Sequence, residues 1–346
     1  MNIKKRLVLF FLLVICPLLF IWAVQQKYML IHGNTMGTTY TIKCYSPKWV
    51  NKNKVTLEVE KELKRINAIF STWDAQSEIS KFNNLKATKN IIISDDFRYL
   101  IQAAFELYDN TTGYFDPTVK SLSDIWGFSS YNSYFSIPKK HHIAQTATYV
   151  GLDKIKLNEN NLRKVDPYVS MDLSAIVKGF AVDQVALLLE KLGSKKYMVE
   201  IGGEVRVLTN NDKKPWTIGI HKPKYHEVEQ HLLGSIELKN EALATSGDYQ
   251  NFFEKDGVIY SHIMDSKKGS PVRSKIASVS IIAPNCLLAD GLATSVMAMG
   301  VNRGLSLIES YPNVEGLIVI RHSNNTLETY ESSGFNKNHY RAFSSL

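Results

Sequence analysis

Val169-Ser170-Met171-Asp172-Leu173-Ser174-Ala175-Ile176-Val177-Lys178-Gly179 opens the segment whose periodicity decides the fold class. From about Ser174 to Leu192 the apolar residues Ala181, Val185, Leu188, Leu189 and Leu192 fall on one helical face, and Gly193 stops the run. Downstream come short runs rich in β-formers: Tyr197 to Ile201, Trp216 to Ile220, Ser235 to Leu238, Val258 to Ile263 and Ala277 to Ala283. Asn285 is placed to cap another helix reaching Met299, with Gly300 beyond it. A short helix and two strands, around Gly316–Ile320 and Thr326–Tyr330, complete the chain. Upstream, Gly37 to Lys43 reads as a strand. Val59, Leu63, Ile66 and Phe70 mark one helix, and Phe97, Leu100, Ile101, Ala104, Phe105 and Tyr108 mark a second that ends near Gly113. Residues 129–148 are polar and aromatic without a period and read as a loop or insertion. With no repeat and no low-complexity linker, the pattern predicts one compact α+β domain over residues 27–346.

Residues 1–26 carry an address. Lys4-Lys5-Arg6 precede an uninterrupted apolar stretch of 18 residues, Leu7 to Val24. This is the charged and apolar part of an export signal, and it is long enough to span a bilayer. The basic flank predicts that the rest of the chain faces the extracytoplasmic side. Ile15 before Cys16 is not the small residue a lipobox requires, so an uncleaved signal anchor in the cytoplasmic membrane is the preferred reading. Cleavage near Ala23 is the alternative.

A net charge of +8 raises the question of nucleic acid. The lysines and arginines are dispersed, however. The short clusters Lys52 with Lys54, Lys195-Lys196 and Lys267-Lys268 lack interleaved aromatic motifs, so they read as a solvated basic surface and no nucleic acid is expected. Cys44 and Cys286 have no CxxC spacing, which argues against zinc. Sequence does not decide whether they pair or remain buried thiols.

Five segments have chemical potential. In the opening segment Asp172 and Ser174 precede a helix N-terminus, which attracts phosphate, and Lys178 adds a charge; simple capping explains the same residues. Ile201-Gly202-Gly203-Glu204-Val205 allows close approach of a ligand to the backbone, or is a plain turn. Ala242-Leu243-Ala244-Thr245-Ser246-Gly247-Asp248-Tyr249 reads as a turn-prone stretch that lines a polar pocket or lies on the surface. In His262-Ile263-Met264-Asp265 a strand end delivers His262 and Asp265 for acid–base work, or merely makes a turn. Asp290 and Thr294 are four apart on a helix and offer hard oxygen ligands for Mg²⁺, or serve the helix itself.

Their order decides between these readings. Together with Met36-Gly37-Thr38-Thr39-Tyr40, Phe70-Ser71-Thr72-Trp73-Asp74, Ser77-Glu78-Ile79-Ser80-Lys81-Phe82-Asn83, Gly113-Tyr114-Phe115-Asp116-Pro117-Thr118-Val119 and Trp126-Gly127-Phe128, the five segments resemble the ApbE family from about residue 34 to residue 304. The resemblance implies a single domain with mixed sheets and flanking helices around a flavin-binding cleft. It implies an FAD:protein FMN transferase that moves FMN from FAD to a Thr or Ser of an acceptor protein and releases AMP. Acceptors in the family include extracytoplasmic subunits of electron-transfer complexes. Carried over by motif, Met36, Trp73, Tyr114, Phe115, Asp116, Asp172, Lys178 and Ile276 would contact FAD. Asp290, Thr294 and the Ala175 carbonyl would hold Mg²⁺, and His262 with Asp265 would be catalytic. Competing readings are an FAD pyrophosphatase giving FMN and AMP, and a non-catalytic flavin-binding protein. Three departures stand out: Asp265-Ser266 and Lys268-Gly269 replace the family's Asp-Pro and Thr-Gly, Glu204 stands where Asp is common, and a lipobox is missing.

Overall fold

The structure is a computed structural model that describes residues 25–128, 135–210, 214–225, 231–338 and 340–343. The apolar run Leu7–Val24 and its basic flank lie outside these residues. Among the described residues no helix is long and apolar enough to cross a membrane.

Eight strands form one sheet: β1 (Gln26–Thr35), β2 (Thr38–Pro47), β3 (Lys196–Ile201), β4 (Glu204–Leu208), β5 (Ala242–Gly247), β6 (Ile276–Ala283), β7 (Glu315–Arg321) and β8 (Leu327–Glu331). Each is hydrogen-bonded to the next in chain order, and all these pairings are antiparallel. Alternation along the strands gives the sheet two apolar faces. Tyr40, Ile42, Val199, Ile201, Val279 and Ile281 face the main core. Met198, Val205, Val207, Leu243, Ile282 and Leu317 face a smaller one, closed by Ile220, Ile236, Leu238 and Phe335. The second cover is a three-stranded sheet of Trp216–His221, Leu232–Leu238 and Arg341–Ala342. Being covered twice, β6 is buried at all of its positions, which explains its unbroken apolar and small composition.

Helices α1 (Lys52–Phe70), α2 (Glu78–Asn84), α3 (Asp95–Asn110), α4 (Lys120–Ile125), α5 (Lys140–Ala147) and α6 (Ser174–Lys191) are all inserted between β2 and β3. Helices α7 (Cys286–Met299) and α8 (Val301–Ser310) lie between β6 and β7. The main core is built from α1, α3, α6 and α7, with Phe70 meeting Phe97 and Phe180 edge-on at 5.7 and 6.0 Å. Cys44 and Cys286 are buried free thiols.

The α+β class and the main helices are as the sequence predicts. Asn285 caps α7 through Leu288 N at 2.9 Å. Gly193 and Gly300 take positive φ beyond α6 and α7. Two expectations are corrected. Ala242–Gly247 is no turn but a central strand, β5, whose small residues let α7 pack against the sheet. Of the loop expected over residues 129–148, residues 129–134 lie outside the described residues and the rest contains α5. That helix buries no residue fully and has no apolar stripe for a sequence to reveal; Ile143 alone packs on Leu122 and Trp126.

Helices α6 and α7 touch at Gly179. A Cβ there would lie 2.3 Å from the Cys286 carbonyl oxygen and 2.9 Å from Asp290 Cβ. The first of these neighbours is backbone and has little freedom to retreat. Gly179→Ala should therefore destabilise the protein by ~1–3 kcal/mol, despite the better helix propensity of Ala. Urea unfolding would show this as a lower midpoint at unchanged slope, and an unchanged or higher midpoint would refute the tight crossing.

Candidate active site

Antiparallel order places every second connection at the same end of the sheet. The turn after β1, the turn after β3, the end of β5 and the start of β6 all meet there. Both turns are two-residue hairpins. Met36 and Gly37 have φ of 50° and 72°, and Gly202 and Gly203 have 63° and 103°, as such tight turns demand. The N-terminal half of α6 and the middle of α7 open onto the same end. The result is a cleft of about 620 Å³, within the range of small-molecule sites.

Met36, Trp73, Tyr114, Phe115, Asp116, Asp172, Ala175, Lys178, His262, Asp290 and Thr294 all line this cleft, although the sequence scatters them over more than 250 residues. Ile276 instead lines an adjoining cavity of about 390 Å³, which shares Ile263 as a wall. Asp265 is absent from both linings. Its carboxylate accepts the Lys267 and Lys268 amides at 3.0 and 3.1 Å and the Lys268 ammonium at 2.9 Å, so it shapes the turn that follows. This is what stands where the family's Asp-Pro would.

The floor of the cleft is a buried charge cluster. Lys178 Nζ donates to Glu204 Oε1 at 2.5 Å. Glu204 is 1% exposed, and its Oε2 is buried without a partner. Asp290 Oδ2 accepts the Gly179 amide at 2.9 Å. In a regular helix that amide belongs to the Ala175 carbonyl, so Asp290 draws on the partner that helix geometry assigns to a residue lining the cleft. Burial, and then the neighbouring Glu204, push the Asp290 carboxyl well above its ordinary value. Burial also raises Glu204, against the pull of Lys178. Lys178 itself is raised: burial would lower it, but Glu204 and Asp290 outweigh that. Two carboxyls thus compete for one ammonium.

Opposite lies His262. Its Nδ1 is 3.0 Å from the Asn251 carbonyl oxygen, which also accepts the His262 amide at 3.0 Å. A carbonyl only accepts, so Nδ1 carries the proton and Nε2 is the basic nitrogen. The ring is only partly exposed to the cleft, and the surrounding protein lowers its pKa below the ordinary 6.5; the Asn251 bond opposes this less strongly. Asn251 and His262 flank a hairpin of Phe252–Lys255 and Val258–Ser261. The hairpin is seated by Phe253 stacked on Tyr260 at 4.9 Å and by Tyr260 against Trp126 at 5.6 Å. Trp126 Nε1 in turn holds the Gly269 carbonyl at 3.0 Å.

The remaining walls are fixed as firmly. Asn83 grips Met171 through both its amide and its carbonyl, each at 2.8 Å. The Asp172 amide donates to the Pro117 carbonyl at 2.9 Å. Asp172 Oδ1 takes the Ser174 amide at 2.8 Å at the start of α6. Asp116 accepts from the Thr118 amide and hydroxyl, and burial lifts its pKa to about 6. Trp73 stands 71% exposed on the rim, and Thr294 Oγ1 lies 3.1 Å from Ser246 Oγ. The sequence offers Glu204 and Ser246 only within candidate segments, with no role for either side chain, and gives no sign of the Asn251 carbonyl. The paired glycines before Glu204 were the available signal; a backbone carbonyl leaves none.

A buried carboxyl–ammonium cluster facing an oriented neutral histidine defines an enzyme cleft, and comparison with known proteins gives its kind. The ApbE family profile matches residues 36–318. The FAD:protein FMN transferase of Haemophilus influenzae is 38% identical over 90% of this chain and 92% of its own length. That of Vibrio cholerae is 36% identical over 88% and 91%. The solved flavin transferase ApbE of Vibrio cholerae superposes with a TM-score of 0.81 at 34% identity, covering 90% of this chain and 99% of that one. The Pseudomonas stutzeri flavinyl transferase ApbE gives 0.82 at 32%, covering 91% and 97%. The chain belongs to the ApbE family.

Proposed function

We propose that this chain transfers FMN from FAD to a Thr or Ser hydroxyl of an acceptor protein and releases AMP. The observation that carries the reading is the tautomer of His262: Nδ1–H is committed to Asn251, and Nε2 is left basic at the cleft. A hydroxyl attacking phosphorus must lose its proton, and Nε2 can take it. The proton returns to solvent as the AMP phosphate leaves. Trp73 and Tyr114 supply aromatic surface for flavin or adenine, while Met36, Phe115, Asp116 and Asp172 fix the ligand between the walls. Ile276 extends the contact toward the adjoining cavity. Lys178, next to the N-terminus of α6, offers positive charge for the pyrophosphate. Such centres rely on positioning and charge neutralisation more than on covalent chemistry.

Mg²⁺ fits this donor set. Among the described residues no three His, Cys, Asp or Glu side chains gather to hold a metal. Mg²⁺ takes few protein oxygens and completes its shell from phosphate and water. Asp290, Thr294 and the Ala175 carbonyl are hard oxygen donors lining one cleft, and the unpartnered Glu204 Oε2 nearby adds negative charge. When bound, Mg²⁺ would neutralise the pyrophosphate. We place the domain outside the cytoplasm, anchored by Leu7–Val24. Extracytoplasmic subunits of electron-transfer complexes are then natural acceptors.

The full chain incubated with FAD, Mg²⁺ and an acceptor domain should give an FMN-sized mass gain on the acceptor and stoichiometric AMP. FMN appearing free, with the acceptor mass unchanged, would instead make the protein a pyrophosphatase. His262→Ala should slow transfer by about 10²–10⁴-fold while FAD affinity changes little. The pH profile follows from the sign of the shift. A histidine held below 6.5 stays neutral through physiological pH and loses its basic nitrogen only on acidification. kcat/KM should therefore be flat across neutral pH and fall below an apparent pKa under 6.5. An acid limb above 6.5, or one that persists in His262→Ala, would exclude His262 as the base. Chelation by EDTA, or Asp290→Ala, should abolish transfer in the same mass assay; near-normal rates at low Mg²⁺ would remove Asp290 from the ligand set.

A further inference from the structure

We propose that the corner of the sheet where β1 begins, at the end opposite the cleft, is a docking face for anionic phospholipid headgroups. The inference rests on the anchoring reading above.

The antiparallel order that gathers the site at one end gathers other segments at the opposite end. There β1 begins, β2 ends and β3 begins, so the loop after β2 meets the turn between α6 and β3. A Cβ on Gly193 would lie 3.1 Å from Pro47, and the Ser46 and Ser194 hydroxyls are 2.6 Å apart. Residues 43–57 and 191–199 together hold seven lysines and no Asp or Glu. The topology thus brings to one corner two lysine clusters that look short in sequence, Lys52 with Lys54 and Lys195-Lys196, with Glu58, Glu190 and Glu200 at the borders of these stretches. Like charges brought together cost free energy unless an anion faces them.

The corner also carries aromatic groups in water. Trp49 is 63% exposed and Tyr28 51%, with Tyr28 against Tyr45 at 5.4 Å. Trp and Tyr beside lysines are the residues of a membrane–water interface. The decisive observation is where the chain enters. Gln25, the residue after the apolar run, is tied into this corner: the Lys48 amide donates to its carbonyl at 3.0 Å, and the Lys48 ammonium donates to its side-chain oxygen. A membrane anchor ending at residue 24 brings this corner to the lipid surface. Each lysine at an anionic surface strengthens binding about five-fold. The cleft then points away from the bilayer. The ten residues of β1 span roughly 30 Å, so the acceptor hydroxyl must be presented on an extramembrane domain, well above the headgroups.

The test uses the full chain in lipid nanodiscs of either pure phosphatidylcholine or a phosphatidylglycerol mixture, with brominated acyl chains as tryptophan quenchers. The Trp49 signal is the difference between the wild type and Trp49→Phe. In anionic discs it should be quenched by bromolipid and shielded from aqueous acrylamide. Both effects should be lost in phosphatidylcholine discs and in a Lys52→Glu/Lys54→Glu/Lys195→Glu variant whose flavin turnover in detergent is unchanged. Chain retained on the discs with Trp49 open to acrylamide would overturn lipid docking while leaving the anchor intact. Trp49 shielded from acrylamide yet unquenched by bromolipid would put a protein there and also overturn it. Chain that does not stay with the discs would overturn both the anchor and the docking face.

Discussion

Lys178, Glu204 and Asp290 hold two carboxyls and one ammonium below the surface of a single cleft. Burial makes every uncompensated charge expensive, so the arrangement persists only because the surrounding structure enforces it. Glu204 is fixed by a two-glycine hairpin at the end of β3, Lys178 by α6, and Asp290 by α7. The three elements come together through Gly179, which has no side chain to keep α6 and α7 apart and gives its amide to Asp290. The same bond engages the amide that regular helix geometry assigns to the Ala175 carbonyl. Packing and backbone hydrogen bonding are therefore set by one contact.

The sheet order explains how so dispersed a sequence makes so local a site. With each strand bonded to the next in chain order, alternate connections fall at alternate ends. One end collects Met36, Gly202, Ser246 and the start of β6; the other collects the lysine-rich loops. Asp183 steadies the junction beneath the site: it pairs with Arg206 at 2.7 Å and caps α7 through the Cys286 and Leu287 amides at 3.0 and 2.9 Å. The hairpin bearing His262 is a separate attachment, seated on the aromatic group around Trp126. His262 and the charge cluster are thus held by different parts of the core.

Much of this was legible in the sequence because α1 and α3 bury one face each, and the helices carry ordinary start and stop signals, Asn285 before α7 and Gly193 after α6. Eleven motif residues converge on the cleft because motif order tracks loop order around one sheet end. What escaped has physical reasons. Ala242–Gly247 looks like a turn because a strand beneath a close helix must be small, and its Thr and Ser serve the cleft. Helix α5 is held by little more than Ile143, so periodicity has nothing to detect. Asp265 belongs to a motif that suggests acid–base work, yet with Lys267 and Lys268 following it, its carboxylate closes a turn. The partner that sets the His262 tautomer is a carbonyl, which any residue at 251 would provide.

If the cleft floor is built to receive a cation, Asp290 is a liability to the metal-free fold and an asset to the loaded one. Replacing its carboxyl by the isosteric amide, Asp290→Asn, removes the excess charge and keeps an acceptor for the Gly179 amide. Thermal unfolding of wild type and Asp290→Asn, each with FAD and with or without Mg²⁺, separates these effects. Without Mg²⁺ the variant should melt at or above the wild-type temperature, and Mg²⁺ should raise the Tm of the wild type alone. A variant that melts lower without Mg²⁺, and gains as much from Mg²⁺ as the wild type does, would contradict a cation-binding role for the cluster.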